Sequence, residues 1–235
     1  MLPGLGQILT CPHCGAHKEV LSLLSGNTFG QEVWSDNKTI APMLPRVSFV
    51  QKCPSCGGYF LMSRQKPKDG KESSFDKGDL SYHELKEAWR SLNDASCRPE
   101  LYGWSKLKKA CGLSSSKNTH PLTDDEKLTL LIMQVWAYND EYTRETVKQI
   151  PPEEQQYICT IIEMLLNLDS VDNLLKAEFM REIGRFEESM SLLNKYSTDD
   201  QFLQKLIKRL KEENLASNTR PFLISGPMAY SETIV

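Results

Sequence analysis

The pentapeptide Cys-Pro-x-Cys-Gly occurs twice in the chain, as Cys11-Pro12-His13-Cys14-Gly15 and as Cys53-Pro54-Ser55-Cys56-Gly57. A Cys-x-x-Cys turn brings two sulfurs within reach of one ion, and two such turns supply the four thiolates of a closed tetrahedral site. Glycine after the second cysteine permits the positive φ that the turn requires, and the proline narrows the unfolded ensemble. A fold that uses both knuckles must therefore bring two distant stretches of chain face to face. Cys11, Cys14, Cys53 and Cys56 are the candidate ligands of a structural Zn²⁺, and iron suits the same four sulfurs. Cys97, Cys111 and Cys159 have no Cys-x-x-Cys partner and read as ordinary thiols. An odd total of seven cysteines argues against the disulfide framework of a secreted domain and for a cytoplasmic, reducing setting.

The paired knuckles resemble those of zinc ribbons and rubredoxin-type proteins over roughly residues 8–64. That resemblance implies strand–knuckle–strand units in which metal replaces most of a core. Between the knuckles, Gln31–Ser35 and Lys38–Ala41 flank Asp36-Asn37, a predicted hairpin closed by a two-residue turn. Val47–Gln51 leads into the second knuckle and Tyr59–Met62 leaves it. Ser25–Gly30 lacks the Gly-Lys-Ser/Thr ending of a phosphate loop and reads as a plain loop. Cys11-Pro12-His13-Cys14 also matches, letter for letter, the active-site tetrapeptide of one branch of thioredoxin-fold disulfide oxidases, so a thiol oxidoreductase using Cys11 and Cys14 is an alternative. The second knuckle and the lack of a surrounding βαβ pattern stand against it. A complete four-cysteine set leaves His13 and His17 surplus, as exposed turn histidines.

Residues 64–79 are polar with Pro and Gly and mark a boundary. Ser81-x-x-Glu84 is a capping box for a helix to about Leu92, with Tyr82, Leu85, Trp89 and Leu92 on one face. Leu101–Cys111 is a further short helix. Thr123-x-x-Glu126 opens a purely helical stretch, with Leu128, Leu131, Ile132, Val135 and Trp136 in its first stripe. Helices follow after Pro151-Pro152, over Val171–Ile183 with Gly184 as the stop, over Arg185–Lys195, and from Asp199 to about Asn214. Short connections imply antiparallel neighbours. Ala177, Gly184, Phe186 and Ser189 resemble the helix–turn–helix centre of a tetratricopeptide repeat over about 170–200, although Asn173 and Lys176 replace that pattern's early aromatic and leucine. The resemblance implies stacked helical hairpins in which Phe186 plugs the pair. Knuckles followed by such a tail also resemble uncharacterised bacterial proteins, which implies no activity.

The expected fold is α+β: a β-rich, zinc-ribbon-like module over 1–75, connecting helices and loops over 76–122, an α-helical, repeat-like module over 123–215, and an irregular tail over 216–235. Residues 1–120 hold 16 Lys/Arg against 11 Asp/Glu, a balance of +5, and residues 121–235 hold 12 against 20, a balance of −8. An acidic C-terminal half repels a phosphate backbone, so a nucleic-acid-binding ribbon with a helical oligomerisation module is the less favoured reading. No nucleotide fingerprint, Gly-x-Ser-x-Gly or His-Glu-x-x-His occurs, and no apolar run reaches the ~20 residues of a membrane span. The sequence therefore reads as a non-enzymatic, zinc-binding protein whose helices engage an unidentified protein or peptide.

Overall fold

Short strands occupy the N-terminal part of the chain and helices the C-terminal part, the α+β organisation expected from the sequence. The computed structural model describes residues 2–20, 22–44, 48–66, 68–72, 80–93, 121–144 and 148–226. The helix expected over 101–111 and the thiols Cys97 and Cys111 lie outside the described residues. In chain order come β1 (Leu2–Pro3), β2 (Leu5–Thr10), β3 (His17–Val20), β4 (Leu23–Ser25), β5 (Glu32–Trp34), β6 (Thr39–Ile40), β7 (Val50–Lys52), β8 (Tyr59–Leu61) and β9 (Lys68–Glu72). The helices are α1 (Tyr82–Asn93), α2 (Asp124–Tyr142), α3 (Pro152–Leu166), α4 (Asn173–Glu182), α5 (Phe186–Lys195) and α6 (Gln201–Leu215), followed by β10 (Leu223–Ser225). Two units result, one of residues 1–28 with 43–130 and one of 29–42 with 131–235.

In the first unit, β2 runs antiparallel between β3 and β9, with Thr10 opposite His17 and Ile8 opposite Lys68. β9 thus arises inside the polar stretch that reads as a boundary. β7 and β8 form a second antiparallel pair, with Lys52 opposite Tyr59. All three residues of β8 are buried, with α1 packed against the strand and Phe60 in the cluster of Leu9, Cys11, Val20 and Cys53. Tyr82, Leu85 and Trp89 are buried as their spacing predicts, and Ala88 joins them. The predicted capping box is formed: the Ser81 N–H donates to Glu84 Oε2 (3.1 Å) and the Glu84 N–H to Ser81 Oγ (3.3 Å). Glu84 also takes Lys52 Nζ at 2.8 Å, and Glu87 accepts from Tyr59 Oη at 2.8 Å, so the helix is bolted to both knuckle strands. The box at Thr123 and Glu126 forms likewise, and Arg64 Nε donates to Glu126 at 2.7 Å.

These contacts carry a pH dependence. Arg64, followed by the Thr123 N–H, brings Glu126 down to about 2, and Lys52 with the Ser81 N–H does the same for Glu84. A carboxylate whose folded value is depressed contributes stability above its unfolded value, and that contribution is lost as pH falls. The first unit should therefore weaken between the ordinary value of 4.5 and about 2. Glu126→Gln should cost about 2 kcal/mol at neutral pH and flatten that acid limb, read by urea unfolding across pH.

The second unit holds two arrangements absent from the sequence reading. The hairpin β5–β6 forms, with Glu32 opposite Ile40, but its turn is longer than two residues. The Asn37 N–H reaches the Trp34 carbonyl and the Trp34 N–H the Lys38 carbonyl, with Asn37 at φ 62°. This is a three-residue loop whose left-handed position suits asparagine. The hairpin takes β10 as its third strand, with Leu223 opposite Trp34, so part of the segment read as an irregular tail is a strand. The turn also carries a buried carboxylate. Asp36 is 0% exposed and takes Arg144 Nη2 at 2.6 Å and Asn139 Nδ2 at 2.9 Å, while Trp136 Nε1 donates to its carbonyl at 2.9 Å. The Arg144 guanidinium lies 4.5 Å from the Trp34 ring.

Helix α2 consequently buries Gln134 and Asn139 beside Leu131, Val135 and Tyr138, a stripe with more polar content than an apolar pattern predicts. Asn139 Nδ2 also reaches Glu182 Oε2 at 3.1 Å, whose Oε1 is enclosed with no hydrogen-bond partner among the described residues. Burial, then the charges of Glu178 and Asp36, push Glu182 well above the usual carboxylate range, against Arg181 and Asn139. A raised folded value means the folded chain holds the extra proton, so stability declines as pH rises through that range. Glu182→Gln should then raise stability at pH 8 by about 1 kcal/mol over wild type in parallel denaturation curves.

Candidate metal centre

The two knuckles have the same backbone construction. In the first, the Cys11 N–H donates to the Ala16 carbonyl (2.8 Å) and the Gly15 N–H to the Cys11 carbonyl (2.9 Å). In the second, Cys53 N–H to Gly58 and Gly57 N–H to Cys53 are both 2.9 Å. Gly15 and Gly57 have φ of 74° and 71°, with nothing within 4 Å of where a Cβ would stand. Their requirement is conformational, so Gly57→Ala should cost about 1–2 kcal/mol through backbone strain alone. Thermal unfolding of metal-loaded protein reads this, and a Gly57→Asn variant should lose less.

β2 and β3 flank the first knuckle, β7 and β8 the second, and together they carry all four sulfurs to one point. Every sulfur lies within 4.8 Å of the others. Across the knuckles, Cys11 Sγ is 3.8 Å from Cys56 Sγ and Cys14 Sγ is 3.6 Å from Cys53 Sγ. A tetrahedron with metal–sulfur bonds of about 2.3 Å has edges of about 3.8 Å, so the cluster has the size a single ion needs. The four residues expected from spacing are thus the four that meet.

Surroundings favour a closed site. Cys11 and Cys53 are each 2% exposed and pack with Leu9, Val20 and Phe60, while Cys14 and Cys56 are half-buried. Burial pushes the Cys11 thiol up to about 12, against the N–H groups of Cys14 and His13. Burial likewise opposes ionisation of Cys53, but N–H groups of Cys56 and Ser55 and bonds from Cys11 and Cys14 bring it down to about 7. Cys56 is raised, chiefly by burial. Four thiols crowded in this way ionise together only beside a compensating cation, which is the chemistry of a metal-thiolate site. A redox-active Cys-x-x-Cys needs an accessible first cysteine of low pKa, and Cys11 has neither property.

His13 is not the exposed turn histidine expected from the sequence, although the four-cysteine cluster forms without it. It is half-buried, and its Nε2–H donates to the Tyr59 carbonyl at 2.9 Å, tying the first knuckle to the strand that leaves the second. A Cβ at Gly58 would stand 2.8 Å from the His13 ring and 3.3 Å from Cys56 Sγ, so glycine there admits the imidazole. His17 is exposed as expected and lies 3.3 Å from Thr10 Oγ1. A histidine between two cysteines carries no one-dimensional sign of this carbonyl partner 46 residues away.

In the second unit, Ala177 and Ser189 are fully buried where α4 meets α5. Ser189 Oγ donates to the Ala177 carbonyl (2.7 Å) and receives Asn214 Nδ2 from α6 (3.0 Å). Gly184, at φ 80°, turns the chain between them. Phe186, expected to plug the pair, is half-buried and lines an open groove with Met190 of α5 and Leu215 of α6. Among the described residues no helix is long and apolar enough to cross a membrane. Comparison of the chain with protein-family models, curated proteins and solved structures finds no match.

Proposed function

We propose that this is a non-enzymatic zinc protein, in which a structural four-cysteine site rigidifies the first unit and the helical second unit binds a protein or peptide. The observation that carries the metal part is the convergence of Cys11, Cys14, Cys53 and Cys56 to within 4.8 Å, with two of them buried in a small apolar cluster. Four thiolates fill a tetrahedral shell and leave no open position for a substrate or water, which separates a structural zinc from a catalytic one. Zinc is preferred to iron because the site's purpose here is cohesion, and zinc supplies that without redox chemistry. Elemental analysis of the purified chain should give one zinc per molecule; iron in its place, or no metal, would overturn this part.

The interaction part rests on the groove lined by Phe186, Met190 and Leu215 at the α5–α6 surface, with Phe186 and Met190 half-buried and Leu215 79% exposed. The α4–α5 hairpin with small residues at its crossing supports a repeat-like reading, since such hairpins present binding grooves. Peptides selected from a displayed library on the wild type should lose at least about tenfold in affinity on Met190→Glu, about 1.4 kcal/mol. Equal binding to both proteins would place the interaction elsewhere.

A further inference from the structure

The geometry points to a second role for the cysteine cluster: we propose that it is an oxidation site, where a hydroperoxide converts the four thiolates into two disulfides joining the knuckles, Cys11 to Cys56 and Cys14 to Cys53. Two observations carry this. The Cys11–Cys56 and Cys14–Cys53 sulfurs stand 3.8 and 3.6 Å apart, both pairs running between knuckles, in a cluster whose sulfurs all lie within 4.8 Å of one another. Each pair also couples a half-buried cysteine, Cys56 or Cys14, with one that is 2% exposed, Cys11 or Cys53. Oxidant reaches the accessible sulfur, and the buried partner lies within a short shift of the ~2.05 Å disulfide bond.

The chemistry balances with hydrogen peroxide as the oxidant. Cys14 Sγ attacks one peroxide oxygen and the O–O bond breaks, giving a sulfenic acid on Cys14 and one hydroxide. Cys53 Sγ then attacks that sulfur, the S–S bond forms, and the S–O bond breaks with a second hydroxide released. Two thiolates have lost an electron pair to one peroxide. Cys56 and Cys11 repeat the sequence, so complete oxidation consumes two peroxides per chain. Neutral disulfide sulfurs are poor ligands, and any metal held by the thiolates leaves. The covalent links then tie β2–β3 to β7–β8 where coordination did before. Metal release rests on the structural-zinc reading, whereas the disulfide connectivity rests on the sulfur positions alone.

The experiment treats the zinc-loaded full chain with limiting hydrogen peroxide, in the presence and absence of the sulfenic-acid trap dimedone, while a chromogenic chelator follows free zinc. Cleavage after Lys18, Lys52 and Arg64 isolates residues 1–18 and 53–64, each with one complete knuckle. The expected product is a covalent pair of these peptides, with fragmentation assigning 11–56 and 14–53, dimedone on Cys14 and Cys56, and one zinc freed per two peroxides. Loops closed within each knuckle, dimedone on Cys11 or Cys53, sulfinic or sulfonic acids in place of disulfides, or thiols untouched by a tenfold excess of peroxide would each overturn the proposal. A chain that takes up no zinc yet gives the cross-knuckle pair would sink the structural-zinc reading and uphold the connectivity.

Discussion

Replacing Cys53 with serine is expected to abolish metal binding and to unfold the first unit. Cys53 is 2% exposed, sits among Leu9, Cys11, Val20 and Phe60, and lies 3.6 Å from Cys14 Sγ. A serine hydroxyl does not replace a thiolate ligand at neutral pH. Structural zinc contributes about 10–16 kcal/mol of apparent binding free energy in small metal modules, at least as large as the whole stability of a typical domain. The strands that carry the four cysteines are only three to six residues long. Amides of Leu9, Val50 and Phe60 should therefore lose their slow hydrogen exchange in the variant, while those of Ile161 and Leu165 in α3 keep theirs. Full zinc retention by Cys53→Ser, with unchanged exchange at Leu9, would remove Cys53 from the ligand set.

The second large effect is expected at Arg181, 0% exposed and bound by two hydrogen bonds to Glu178, itself 1% exposed. The guanidinium also donates to the carbonyls of Asn218 and Arg220 and lies 5.5 Å from the Phe222 ring. It thus fixes the chain between α6 and β10, which then pairs with β5. Arg181→Met strands a buried carboxylate and two carbonyls, a loss of about 3–5 kcal/mol. The double variant Glu178→Leu/Arg181→Met should recover most of that deficit, because the desolvated charge is gone. Urea unfolding measures both, and limited proteolysis between residues 216 and 226 should become faster in the single variant. A single-variant cost below about 1 kcal/mol would show that the pair does not hold the segment.

The features legible in the sequence are those whose chemistry is local. The knuckles, the capping boxes at Ser81 and Thr123, the proline opening α3 and the Gly184 turn each depend on residues within five positions, and each forms as read. The four clustered cysteines were legible because metal-ligand chemistry restricts the residue type so strongly. Asp36 was legible only as a turn residue. Its role as the buried anchor of Arg144, 108 positions away, depends on the hairpin lying in the helical unit, which no local pattern encodes. β10 is three residues of half-buried Leu-Ile-Ser, too short for alternation to show. Glu178 and Arg181 have the i,i+3 spacing of a solvated surface pair, so their burial went against the ordinary expectation for charged side chains.

The central claim is that one ion is held by four sulfurs drawn equally from the two knuckles. X-ray absorption at the zinc edge of the purified, full-length chain tests it most directly. The account predicts one zinc per chain with a single shell of four sulfurs at about 2.3 Å. A shell that includes nitrogen from His13 or His17, fewer than four sulfurs, or protein that stays folded over Leu5–Leu61 with no metal at all would contradict it.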